Sequence, residues 1–433
     1  MFVYFLLIRI AALFGHRKAR LMVEGQKNAL AAISRLKNEP VVWFHAASVG
    51  EFEQARPIIE RMHNAKCKMQ NAKCKMQNAK CKMQNAECKM QNAECKILLT
   101  FFSPSGYEMR KNYDKADVVA YLPFATRKNA RRMLDTVTIQ KAIFVKYEFW
   151  PAYLKELKRR NIETYSISAI FLRHQLFFQP WGKPYLNLLN CFTHIFVQDE
   201  SSRELLAQYH ITHVSVAGDT RFDRVNAIAA AADEIAIVKQ WCQQPASLLD
   251  ATKPTIIVAG STWPEDEALF ARYLSERPDI KLVLVPHEIH DEHLRQIFQL
   301  FQGRYIRYTQ ANEKNLFASR LLVVDAMGLL SGIYRYADVA YIGGGFGVGI
   351  HNTLEAAVYG IPVLFGKNYQ RFREAHGLIA AGASRPVKNY REFALCMDET
   401  IAHAAEMGKK ARAYVESELG ATARIMQEIF SAD

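Results

Sequence analysis

Three stretches of the chain gather side chains able to move a proton or hold an anion. The first is HAASVGEF, His45 to Phe52, at the end of an apolar run. A carboxylate just beyond a strand end, Glu51, is placed to act as a general base. Ser48 followed three residues later by Glu51 is equally a capping box, whose carboxylate would hold a backbone amide at a helix start. Both readings stand on the residues alone, and Pro57 predicts that this helix kinks or begins later. The second stretch is VKYEFWP, where Glu148 follows another strand-like run and precedes Trp150-Pro151. It is either a second functional carboxylate or a screened partner of Lys146 or a nearby arginine.

The third is YIGGGFGVGIHNTLEAAVYGIPVLFG, Tyr341 to Gly366. A strand runs into glycines at 343, 344, 345, 347 and 349, and Asn352 is predicted to cap a helix with Glu355 at its third position. Glycines such as Gly345 let a ligand approach the backbone, and the amides of a helix start attract an anion, so the stretch reads as a nucleotide site. Neither G-x-G-x-x-G nor G-x-x-x-x-G-K-[ST] occurs in it, which lowers the case for a dinucleotide fold or a P-loop ATPase. The chain has no D-x-D, which favours a site without metal or other cofactor. Other candidate strand ends are Gly260-Ser261-Thr262, Pro286-His287-Glu288 and Asp325-Ala326-Met327-Gly328.

Such residues need strands to carry them. Short apolar runs alternate with helical stretches: Val41 to His45, Ile97 to Phe101, Ala142 to Lys146, Thr164 to Ser168 and Ile195 to Gln198 form one series. Thr255 to Ala259, Lys281 to Val285, Leu321 to Val324, Asp338 to Ile342 and Val363 to Phe365 form another. That alternation is the mark of βαβ units and parallel sheet, and two series predict two doubly wound domains with a boundary near Gly218 to Lys253. In such sheets ligands lie beyond the carboxyl ends of the strands, where all the candidates above fall.

The 433 residues suffice for two or three domains, and a chain half hydrophobic and 23% charged is neither disordered nor a polytopic membrane protein. A net charge of +13 points to an anionic partner: nucleic acid, phospholipid or a phosphorylated substrate. Five of the eight cysteines recur every seven residues inside one repeat, so no disulfide framework or zinc spacing is expected. That repeat, Asn64 to Lys96, is NAKCKMQ three times, then NAECKMQ and NAECK. Ala and Met alternate at spacings of four and three, which predicts a protruding helix; the alternative is a surface-loop expansion with no role. At the amino terminus, Met1 to Phe14 is apolar apart from Arg9 and is followed by His16, Arg17, Lys18 and Arg20. The run is shorter than the ~20 residues of a spanning helix and has the reverse order of a signal peptide. An amphipathic or partly inserted anchor on the cytoplasmic side is expected, with a core helix as the alternative.

HAASVGE, YEFWP, GDTRFD (Gly218 to Asp223), GSTW (Gly260 to Trp263), DAMG and GIHNTLEAA, in this order, resemble the 3-deoxy-D-manno-octulosonic acid (Kdo) transferases of lipopolysaccharide synthesis, glycosyltransferase family 30. The likeness covers about residues 1 to 430 apart from the heptad insert. It implies an α/β fold of the GT-B class: a membrane-associated segment over 1–30, an acceptor-binding Rossmann-like domain over 31–217 with the insert 64–96, and a CMP-Kdo-binding one over 218–433, facing each other across a cleft. It implies an inverting, metal-independent transfer of Kdo from CMP-Kdo to the phosphorylated lipid A precursor, at the cytoplasmic face of the bacterial inner membrane, with no nucleic acid as partner. Glu51 then matches the catalytic base, while Glu148 and Arg221 match transition-state stabilisers, Arg221 standing where many members have Lys. Ser261, Pro286, His287, Met327, Gly328, Leu329, Gly345, Asn352, Thr353, Leu354 and Glu355 fall at the nucleotide site. His287 stands for an Arg, Leu329 for a Glu and Thr353 for a Pro of the family pattern. The competing readings are a GT-B glycosyltransferase or epimerase using a UDP-sugar, and a membrane-docked scaffold that binds a nucleotide without catalysis.

Overall fold

A computed structural model describes residues 2–77, 95–243, 254–316, 319–347 and 349–430. Two compact units emerge, one built from the chain up to Arg224 and again from Leu419, the other from Val225–Glu418. The sequence expectation gave everything after 217 to the second domain. The helix Ala421–Phe430 packs instead with the first unit, where Ile425 and Ile429 are buried in its core and the amides of Gly420 and Thr422 donate to Asp223.

The first unit has a parallel sheet of seven strands: β1 Pro40–Ala46, β2 Lys96–Phe101, β3 Val118–Tyr121, β4 Thr138–Val145, β5 Glu163–Ala169, β6 His194–Val197 and β7 Val214–Val216, in the order β3-β2-β1-β4-β5-β6-β7. Successive side chains of β1 point to opposite faces, so Trp43 joins one core layer with Phe144 and Tyr153, while Val42 and Phe44 join the other with Phe52, Ile58 and Ile59. Both faces are covered, and β1 is accordingly an almost unbroken apolar run. Strand order reverses between β1 and β4, which opens a crevice beyond their carboxyl ends.

The second unit repeats the plan with β8 Thr255–Thr262, β9 Ile280–Pro286, β10 Ile306–Arg307, β11 Leu321–Val323, β12 Val339–Ile342, β13 Val363–Gly366 and β14 Ser384–Val387, ordered β10-β11-β9-β8-β12-β13-β14. Its reversal falls between β8 and β12.

At the amino terminus, the helix Phe2–Leu13 lies on the first unit through Phe5, whose ring stacks on Phe124 at 4.5 Å. Leu7, Ile10, Leu13 and Phe14 are exposed, the last two by 82% and 87%. Among the described residues no helix is long and apolar enough to cross a membrane. The helix after β1, Val49–Gln77, does not start late but holds Pro57 in its interior, and it runs on into the first two heptads; the remaining heptads, 78–94, lie outside the described residues. Ala55, Ile58 and Ile59, buried around Pro57, hold it against the sheet and offset the ~3 kcal/mol that an interior proline costs a helix.

Candidate functional site

In the first unit the candidates sit at the carboxyl ends of β1, β4 and β7. Glu51 lies in the first turn of Val49–Gln77, and its contact is side chain to side chain: the Ser48 hydroxyl donates to its carboxylate. Among the described residues the reciprocal capping box is therefore not formed, and the carboxylate is half-exposed at the strand end.

Glu148 has neither of the partners suggested by the sequence. Lys146 adopts a left-handed φ of 55° that turns the chain out of β4, and Pro151 opens the next helix, Pro151–Arg159, so Glu148 is held in the short turn between them. Its Oε2 lies 3.1 Å from Nε2 of His45 and accepts from Nε1 of Trp150 at 2.7 Å, and its side chain is 14% exposed.

Arg221 lies one residue inside the helix Thr220–Ala231 and is clamped by Asp219, which accepts from its Nε (2.9 Å), its Nη2 (2.7 Å) and its backbone amide (2.9 Å). Burial works against ionisation of Asp219, yet the Arg221 guanidinium and amide, with Lys146 close by, hold its carboxyl below the ordinary range. The Thr220 hydroxyl donates to the Gln54 carbonyl at 2.6 Å, tying this helix to the one that carries Glu51.

In the second unit the crevice between β8 and β12 is closed by backbone and rings. Gly344 has a φ of 87°, which a side chain would strain, and a β-carbon at Gly343 would collide with the Ser261 carbonyl. Gly345 likewise packs on the backbone of Gly366. These glycines allow one strand end to approach another. Beneath them Asp266, 1% exposed, accepts from the Trp263 amide (3.0 Å), the Gly344 amide (2.9 Å) and the Tyr341 hydroxyl (2.6 Å). Burial pushes its carboxyl above the ordinary range, and these three donors oppose that shift.

His287 follows Pro286, the last residue of β9, and its amide donates to the Thr262 carbonyl at 3.0 Å. Its ring stacks on Trp263 (5.0 Å) and on His351 (4.3 Å), while Trp263 Nε1 donates to His351 Nε2 at 3.2 Å. Burial, with His287 beside it, pushes the His351 imidazole down to about 4, so this ring is a neutral acceptor at pH 7.

The helix after the glycine stretch is shorter than expected. It spans only Leu354–Ala357, its N-cap is Thr353 with no side-chain bond, and Asn352 acts from one residue further out, accepting from the Leu354 amide (3.2 Å) and donating to Glu355 (3.0 Å). A single turn has little macrodipole, so any anion there is held by individual amides. Leu354 and Pro286 are buried, which places their side chains in the core, and the buried Thr353 hydroxyl has no partner. Met327 and Gly328 stand exposed, Gly328 at a φ of 83°, and Leu329 caps the short helix Leu330–Ile333.

His45, Trp150, Asp219, Trp263, Asp266 and His351 are the residues that sequence reasoning passed over. All but Asp266 stand inside the motifs quoted above, but nothing in a motif tells which letters bind the other letters rather than a ligand.

The sequence-family model described as 3-deoxy-D-manno-octulosonic-acid transferase (kdotransferase) matches residues 19–73 and 81–224. A 3-deoxy-D-manno-octulosonic acid transferase of Bordetella pertussis is 24% identical over 409 residues, covering 90% of this chain and 86% of that protein. A bifunctional glycosyltransferase/methyltransferase of Fusobacterium nucleatum is 22% identical over 395 residues; they cover 88% of this chain and 56% of that protein, so this chain spans little more than half of that relative. The solved UDP-GlcNAc 2-epimerase of Neisseria meningitidis, bound to UDP-GlcNAc, covers 91% of this chain at a TM-score of 0.59 and 14% identity, a likeness of fold alone, in the GT-B class of α/β proteins.

Proposed function

We propose that this chain is a Kdo transferase, a glycosyltransferase that takes the sugar from CMP-Kdo and passes it with inversion to a phosphorylated lipid A precursor at the cytoplasmic face of the inner membrane. The observation that carries this reading is that the family match encloses Glu51, Glu148 and Arg221, three charged groups held at the strand ends of one crevice-bearing sheet.

A sugar hydroxyl is a poor nucleophile, and the Glu51 carboxylate, steadied by Ser48, takes its proton as the new bond forms, a contribution of ~10²- to 10⁴-fold. Glu148 faces the positive charge that develops at the anomeric carbon, and Arg221, fixed by Asp219, meets the negative charge. CMP departs as an anion received by the backbone amides around Asn352 and by His287, with no metal and no cofactor. The exposed apolar side of Phe2–Leu13, followed by Arg17, Lys18 and Arg20, suits contact with anionic headgroups.

The test is to incubate the protein with CMP-Kdo and lipid A precursor in excess EDTA and to weigh the lipid. A gain of Kdo mass is expected; no gain, or a gain restored only by magnesium, would reject the donor and acceptor or the metal-free site respectively. The fold likeness to an epimerase that binds UDP-GlcNAc favours a second reading, a UDP-sugar enzyme. Thermal protection by UDP rather than CMP would select it. Protection by CMP with full activity after loss of both Glu51 and Glu148 would leave only a nucleotide-binding scaffold.

A further inference from the structure

One buried titratable ring reaches the site without touching anything the reaction consumes. His45 ends the apolar run of β1 and is 0% exposed. Its Nδ1 lies 2.9 Å from the Thr100 hydroxyl and 3.1 Å from the Thr100 carbonyl, and its Nε2 lies 3.1 Å from Oε2 of Glu148. Trp43, two residues back on the same face of β1, donates its indole N–H to the same Thr100 hydroxyl at 2.8 Å. Phe144 and Trp150 meet the imidazole edge-on, at 5.7 Å and 6.2 Å between ring centres.

His45, Trp150 and Glu148 form one hydrogen-bonded triangle at the end of β1: Nε2 of His45 meets Oε2 of Glu148 and accepts from the Trp150 indole N–H at 3.0 Å. On the other side of the ring Nδ1 is held by the hydroxyl and the carbonyl of Thr100, a hydroxyl that also donates to the Phe44 carbonyl at 3.3 Å. Trp150 donates to Glu148 as well, at 2.7 Å. Among the described residues the contacts of His45 and Trp150 with this carboxylate both fall on Oε2.

We infer that His45 is the positioning residue of Glu148: it relays the Trp43–Thr100 anchor across the reversal between β1 and β4 and fixes the carboxylate through Oε2. The inference rests on the reading of Glu148 given above. Such a role differs from that of a core histidine satisfied by its neighbours, because the requirement is for a polar group at one point in space, and a misplacement of ~1 Å at a stabilising group can cost ~10²-fold in rate.

The experiment compares His45→Gln, whose amide can present a polar group near the Nε2 position, with His45→Leu, and adds Thr100→Val, which removes the hydroxyl that orients the ring while leaving the ring in place. Turnover per folded molecule, acceptor and donor KM, and melting temperature are measured for each, beside Glu148→Gln and the double variant His45→Leu/Glu148→Gln. Expected are a fall in kcat of at least ~10-fold for His45→Leu with KM within about twofold, substantial rescue in His45→Gln, a smaller loss in Thr100→Val, and a double variant no slower than Glu148→Gln alone. Equal losses in His45→Leu and His45→Gln, or full turnover in folded Thr100→Val and His45→Leu, would overturn the inference while Glu148→Gln remains slow. If Glu148→Gln itself turns over normally, the assignment of Glu148 has failed instead. Should His45→Leu not fold, Thr100→Val and His45→Gln carry the decision.

Discussion

The two units share one topology and use their crevices in opposite ways. Between β1 and β4 the first unit places charge: Glu51, the Glu148–His45 pair and Arg221 on Asp219. Between β8 and β12 the second places backbone and the rings of Trp263, His287 and His351, with the Asp266 carboxylate buried beneath them and turned onto amides. Under the proposed reading, the difference divides the work of group transfer between two doubly wound sheets. Proton transfer needs charges that can change partners, whereas holding a departing anion needs donors that stay where they are.

The largest effect should come from the charged side. Glu51→Gln is expected to lower turnover at least ~10²-fold while CMP affinity is unchanged, because the amide keeps the shape but cannot accept the proton. If the variant shifts only the melting temperature, Glu51 is a helix-start residue and the contrast between the units collapses. On the other side, Asp266→Asn removes a carboxylate that three donors share, and one carbonyl oxygen cannot satisfy all of them. CMP binding should weaken about tenfold, as expected for loss of a charge-assisted bond. Calorimetric titration with CMP checks it, and turnover at saturating donor should stay within a few-fold of wild type.

The two buried aspartates sharpen the comparison through pH. Asp219 is held below its ordinary value, so its contribution is present at neutral pH and is lost as the pH falls through its folded value, below about pH 4. Asp266 is raised, so any contribution it makes is complete at low pH and is lost on the way up. Acidification should therefore loosen the surroundings of Asp219 before those of Asp266, seen as faster hydrogen exchange in peptides from the helix Thr220–Ala231 than in those from β8 and β12. Asp219→Asn should flatten that acid response. Simultaneous loosening of both regions would refute the assignment. The smallest effect is expected at Thr353, whose buried hydroxyl has no partner. Thr353→Val should raise stability by up to ~1 kcal/mol, a shift of about 2–4 °C in melting temperature. A loss of CMP affinity in the same variant would show that the hydroxyl waits for the nucleotide.

Central strands were readable because both of their faces are covered, so β1, β4, β8 and β9 announce themselves as apolar runs. The strands that escaped notice, β3, β7, β10 and β14, all lie at sheet edges. They are short and mixed in composition, and β14 even carries Pro386, which an edge tolerates because one side of the strand has no hydrogen-bonded neighbour. The charged candidates were readable from their place after strands. Their partners were not: His45 meets Glu148 from 103 positions away in the chain, and Gln54 meets Asp219 from 165. The glycine stretch carries two meanings in a sequence, since the same absence of a side chain that admits a ligand also admits another strand end.

The return of Leu419 onward to the first unit has a consequence for synthesis. Translation delivers the whole second unit before the helix Ala421–Phe430 that places Ile425 and Ile429 in the first core. At ~5–20 residues per second, the first unit waits on the order of 10–40 s, with an uncovered apolar strip on the face that also carries Phe52 and Ile59. In a nascent chain that strip is the natural place for a chaperone to hold, and a premature stop shortly before codon 419 would release a protein whose second unit is whole and whose first unit is not.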